Sequence, residues 1–106
     1  MFKIKIHEDA LQELKALPAS LQGKMVRQIN KLSEFGTLLR EPDSKAITNV
    51  FFELRAKAGD IGRAIYVYRY GKKIYILKIF AKSTAKLPSA ILTSAAKRLE
   101  EMLNDE

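Results

Sequence analysis

Residues 50–82 read VFFELRAKAGDIGRAIYVYRYGKKIYILKIFAK, and their two-residue alternation decides the fold. In 50–57, Phe51, Glu53 and Arg55 alternate with Phe52, Leu54 and Ala56, so Arg55 is expected to point away from an apolar core. Further on, Arg63, Ile65, Val67 and Arg69 alternate with Ala64, Tyr66, Tyr68 and Tyr70. Across 73–82, Ile74, Ile76, Lys78, Phe80 and Lys82 alternate with Lys73, Tyr75, Leu77, Ile79 and Ala81. Three successive strands thus gather their cations on one side, a pattern suited to gripping phosphates. Ile65, Val67, Ile74 and Ile76 share that side, which makes a partly sheltered groove the expectation.

Outward from this stretch, Phe2, Ile4 and Ile6 alternate with Lys3, Lys5 and His7 as a first strand. Asp9 and Gln12 read as a capping box opening a helix with Leu11, Leu14 and Leu17 inward, closed by Pro18. Ser20 caps a second helix whose Leu21, Met25, Ile29 and Leu32 form one stripe, ended by Gly36. Thr37 to Thr48 reads as a loop, and the short links 58–62 and 71–72 imply an antiparallel meander. Pro88 opens a last helix striped by Ile91, Ala95, Leu99 and Met102. The expected fold is a single α+β domain over 1–106, in the order β-α-α-β-β-β-α. A helical hairpin should cover the tyrosine-rich side of a mainly antiparallel four-stranded sheet.

A chain of 106 residues supports one core without staples, burying roughly 65% of its unfolded surface. Zero cysteines remove disulfides, thiolate catalysis and thiolate zinc sites, and one histidine argues against an imidazole-built metal site. With no apolar run near the roughly 18 residues of a membrane span, no membrane partner is expected, and the expected location is the cytoplasm. Net charge is +7, unevenly placed. Residues 1–39, 40–86 and 87–106 carry six, eleven and two Lys/Arg against four Asp/Glu each, so the excess of +7 sits on the sheet segment. A polyanion such as nucleic acid is the natural partner, since each neutralised phosphate releases counterions.

The string Phe80-Ala81-Lys82-Ser83-Thr84-Ala85-Lys86-Leu87-Pro88 sets two lysines four apart with hydroxyls between them. Joined to Glu53-Leu54-Arg55 and to Arg63 with Tyr66, it resembles the phage-derived, HigB-like branch of the RelE/ParE toxin superfamily, across essentially the whole chain. Ser83 stands where that branch usually has a second lysine, Gly62 where an aromatic often precedes the arginine, and Leu87 where a threonine would cap the last helix.

The resemblance implies the toxin of a type II toxin-antitoxin system, a ribosome-dependent endoribonuclease acting on messenger RNA. Its implied partner is a small helix-turn-helix antitoxin, with a toxin-antitoxin heterotetramer among the assemblies. Neither a metal nor another cofactor is expected. RNA cuts itself once its 2′-hydroxyl is deprotonated and aligned on the neighbouring phosphate, so a protein need only position the strand, stabilise charge and move protons. In this reading Arg55 and Arg63 clamp the scissile phosphate. Lys82 and Lys86 hold its neighbours, one serving as acid or base if nearby cations lower its pKa. Thr84, Lys78 and Arg69 add further RNA contacts. Glu53 is an internal counterion before it is a base, and His7, at a turn, a capping or surface residue before a proton shuttle. Two other readings stand beside this one: a ParE-like inhibitor of DNA gyrase, and a non-enzymatic nucleic-acid-binding or co-repressor module.

Overall fold

In the computed structural model the described residues are 1–82 and 87–106, with Lys82 described by its backbone alone. The elements are β1 (Lys3–Ile6), α1 (Glu8–Lys15), α2 (Ala19–Phe35), β2 (Ser44–Ala46), β3 (Phe52–Ala58), β4 (Asp60–Arg69), β5 (Lys73–Lys82) and α3 (Ser89–Asn104). Their sheet has the order β1-β5-β4-β3-β2, all neighbours antiparallel except β1 with β5. The α+β class expected from the sequence is the one observed, with five strands instead of four. The extra strand, β2, lies inside the segment read as a loop. Three residues are too few to show alternation, and tertiary bonds make the strand: buried Ser44 shares a hydrogen bond with the Tyr66 hydroxyl, and the Arg55 amide donates to the Asp43 carbonyl at 2.8 Å.

Helices α1 and α2 cover one face, over a core of Leu14, Leu21, Met25, Ile29, Leu32, Leu54, Ala64, Tyr66, Ile74, Ile76 and Ile79. Each fully buried aliphatic there contributes about 1.5–3 kcal/mol of transfer free energy. Helix α3 covers the opposite face, packing Ala95, Leu99 and Met102 on Ile65, Val67, Tyr75 and Leu77. Among the described residues no helix is long and apolar enough to cross a membrane.

Several local expectations change. His7, not Asp9, caps α1, its Nδ1 accepting from the Asp9 amide at 3.0 Å; it is buried, and its Nε2 meets Glu101 at 2.7 Å. Pro18 takes the cap position of α2 in place of Ser20, and Pro88 that of α3. Leu11 is partly exposed, the buried stripe of α1 being Ala10 and Leu14. Gly59 alone separates β3 from β4, with φ +82°, a conformation that costs glycine no steric strain.

The largest difference lies in β5. Ile65 pairs with Lys78 but Tyr66 pairs with Ile76, so Leu77 is an extra residue, a β-bulge. The bulge reverses the alternation at mid-strand. Ile74 and Ile76 therefore face the helical hairpin, not the cationic side, while Tyr75 and Leu77 face α3. Beyond the bulge Ile79 returns to the hairpin face, and Phe80 packs with the α3 cluster.

Beyond Ile76 the chain of β1 has turned into α1 and no longer pairs with β5. Side chains take over that edge. Glu13 Oε1 accepts from the Ile79 amide at 3.0 Å, and Arg98 Nη1 donates to the Leu77 carbonyl at 3.0 Å. The two also pair with each other, Nη1 to Oε1 at 2.7 Å and Nη2 to Oε2 at 3.0 Å, and Lys78 Nζ adds a contact to Glu13 at 3.2 Å. Burial pushes the Glu13 pKa up, but the bonds from Arg98, the Ile79 amide and Lys78 outweigh it and leave the pKa below its ordinary value. A depressed carboxyl pKa stabilises the fold above the unfolded-state value, and that stability is lost as pH falls through the folded-state value. Glu13→Gln should therefore lower the melting temperature at neutral pH and flatten its acid limb, the two melting curves converging once the pH has fallen through the folded-state value. Parallel acid limbs in a pH series of thermal melts would contradict this account.

Candidate nucleic-acid interface

Strand register brings the first two candidates together. Arg55 on β3 is the direct partner of Arg63 on β4, which is paired in turn with Phe80 on β5. One rung away, Glu53 pairs with Ile65. Glu53 is only 3% exposed and holds both arginines, accepting from Arg55 Nε at 2.7 Å and from Arg63 Nη1 at 3.4 Å. A carboxylate removed from water needs such compensation, and two guanidiniums side by side need the carboxylate.

The two arginines are not equivalent. Arg63 is 1% exposed and donates to Glu53. The two arginines of the expected clamp thus differ in exposure. Arg55 is 28% exposed, on the rim of a recess of about 240 Å³ lined by Lys45, Ala46, Ile47, Glu53 and Leu87. Its backbone is fixed from the other face, where Gln28 of α2 donates through Nε2 to the Arg55 carbonyl at 2.7 Å and to Asp43 Oδ1 at 3.0 Å. Lys31 pairs with Asp43 at 2.9 Å. The bonds from Lys31 and Gln28 lower the Asp43 pKa, keeping this anchor ionised through mildly acidic pH.

The other candidates are spread out. Lys82 continues the ladder by its backbone, paired with Ile61, while its side chain, Thr84 and Lys86 lie outside the described residues. Lys78 occupies the row of Glu53 and Ile65, but its ammonium is spent on Glu13 in the bulge. Arg69 lies six residues from Arg63 along β4, about 20 Å at strand rise, and pairs with Glu106 instead. Arg69 therefore does not belong to the Arg55 recess.

Two cations escaped the sequence reading. Exposed Lys57 occupies the rung next to Arg55 and pairs with Ile61, the same β4 residue that pairs with Lys82. Its signal was the unbroken alternation Glu53, Arg55, Lys57. Lys45 on β2 pairs with Glu53 and lines the recess, and nothing in a loop-like stretch pointed to it. Lys45 and Arg55 thus border a shallow hollow backed by a buried ion cluster, with Lys57 on the next rung, an arrangement chemically suited to anionic oxygens.

The architecture, a helical hairpin and a separate terminal helix on opposite faces of this sheet, is the RelE-like fold. Residues 12–100 match the model of the phage derived protein Gp49-like family, and the chain belongs to that family. No curated protein matches the chain at a significant level. Among solved structures, a mutant of the E. coli toxin RelE in the free state is similar, with a TM-score of 0.67 at 16% identity, covering 92% of this chain and 97% of that one. The archaeal RelE-RelB complex from Pyrococcus horikoshii OT3 aligns with a TM-score of 0.58 at 27% identity, covering 79% and 98%. The toxin-antitoxin complex RelBE2 from Mycobacterium tuberculosis gives 0.52 at 22%, covering 76% and 98%.

Proposed function

We propose that this chain is the toxin of a toxin-antitoxin pair and that it arrests translation by cutting messenger RNA on the ribosome without a metal. The observation that carries the reading is Arg55, held by Glu53 against the buried charge of Arg63 at the mouth of a cationic recess. Family membership and the likeness to RelE proteins, two of them solved with an antitoxin, support it.

In the proposed reaction the 2′-hydroxyl oxygen attacks the adjacent phosphorus while the 5′-oxygen leaves, so negative charge grows on the non-bridging oxygens. Arg55 neutralises that charge with donors that need no rearrangement. Arg63 acts through Glu53 and is a positioning residue. Lys57 and Lys45 hold neighbouring phosphates, and Lys82 and Lys86 are the proposed candidates for the acid or base. A small helix-turn-helix antitoxin is the proposed partner, in a heterotetramer as one form of the complex, and the cytoplasm the place of action.

Mapping RNA 5′ ends after brief induction tests the proposal. New ends inside translated codons are the expected result. Gyrase cleavage complexes without such ends would transfer the chain to the gyrase-poison class, and neither signal would leave a binding module.

A further inference from the structure

The end of the sheet away from Arg55 carries a second cationic hollow, of about 650 Å³. Register assembles it: Lys3 of β1 pairs with Lys73 of β5, Lys5 with Tyr75, and Arg69 of β4 with Lys73. These residues and the carboxylate of Glu106, just beyond α3, line the hollow. Arg69 grips that carboxylate twice, Nε to Oε2 at 3.2 Å and Nη2 to Oε1 at 3.0 Å, and the Tyr75 hydroxyl donates to Oε2. A forked guanidinium receives a carboxylate and a phosphate in the same way. The side chains lining the hollow are four cations and one carboxylate and sum to +3, an excess that suits another anion. Its donors are lowered to the same face as the Arg55 recess, and α3 runs between the two sites.

We propose that this hollow is a second phosphodiester-binding site for the RNA backbone, which Glu106 fills as an internal competitor until a phosphate displaces it. The proposal rests on the RNA reading of the Arg55 site and adds to it a distant anchor. An RNA held at both ends of α3 is fixed in direction as well as in place.

The test uses the full chain and an uncleavable 2′-O-methyl RNA of about 20 nucleotides, followed by fluorescence anisotropy across a salt series. Glu106→Gln should tighten binding by roughly 3- to 10-fold and steepen the salt dependence by about 0.7, the increment for one more phosphate on a single strand. Arg69→Ala should weaken binding, and in that background Glu106→Gln should have no effect. Unchanged affinity in Glu106→Gln overturns the proposal, and a lowered melting temperature alongside it would mark the Arg69 pair as a fastening for α3 alone. Binding and cutting are read separately. Codon-internal cuts with a silent Glu106→Gln sink only this site, whereas tighter RNA binding without any cuts sinks only the nuclease reading.

Discussion

Arg55→Ala is expected to slow messenger RNA cleavage by roughly a hundred- to a thousand-fold, the usual loss when one preoriented donor to a developing anion is removed. The fold should survive. The Arg55 side chain is partly exposed, and its backbone is held by Gln28 and Asp43 through atoms the substitution leaves in place. Arg55→Lys keeps the charge but loses the planar fork and the Nε bond to Glu53, so it should recover only part of the rate. Single-turnover cleavage in a reconstituted translation reaction, with thermal melts alongside, measures both. A wild-type rate from Arg55→Ala would remove this residue from the reaction.

Glu53→Ala should be the most damaging single change to stability. It strips the carboxylate from Arg63, which is 1% exposed, and breaking a buried pair in this way costs about 3–5 kcal/mol. For a domain of this size that corresponds to a fall in melting temperature of roughly 10–25 °C. Much of the penalty is the cost of a buried guanidinium losing its carboxylate, and not the lost attraction. Combining Glu53→Leu with Arg63→Met should therefore give a more stable protein than Glu53→Ala alone, although one without its positioning pair. A double variant no more stable than the single one would show that shape, not charge, governs this part of the core.

The alternation of 51–56 and 63–69 correctly placed Glu53, Arg55 and Arg63 on one face, because period-two patterning reports the pleat directly. It could not reveal depth. Arg63 and Arg55 look alike in sequence, yet the first is 1% and the second 28% exposed. The pattern in 73–82 misled for a different reason: one extra residue at Leu77 reverses every face after it, and the bulge is stabilised by Glu13 and Arg98, which lie far away in sequence. Ser44–Ala46 was illegible because its pairing depends on Tyr66 and Arg55, not on its own composition. His7 was read as a capping or surface residue, and the surface alternative fails because it is buried, with a bond to Glu101 from the other end of the chain.

The pairing of β1 with β5 also sets a timetable. Lys3 finds its partner only at Lys73, and at ordinary elongation rates the intervening chain takes about 4–14 s to synthesise. Until β5 emerges, the first strand has no neighbour and the helical hairpin lacks part of the surface it covers. Long-range pairings of this kind close late, after the entropy of a large loop has been spent. The five-stranded sheet that carries the Arg55 recess is thus complete only once β5 has emerged, so the proposed RNA site takes shape late in synthesis.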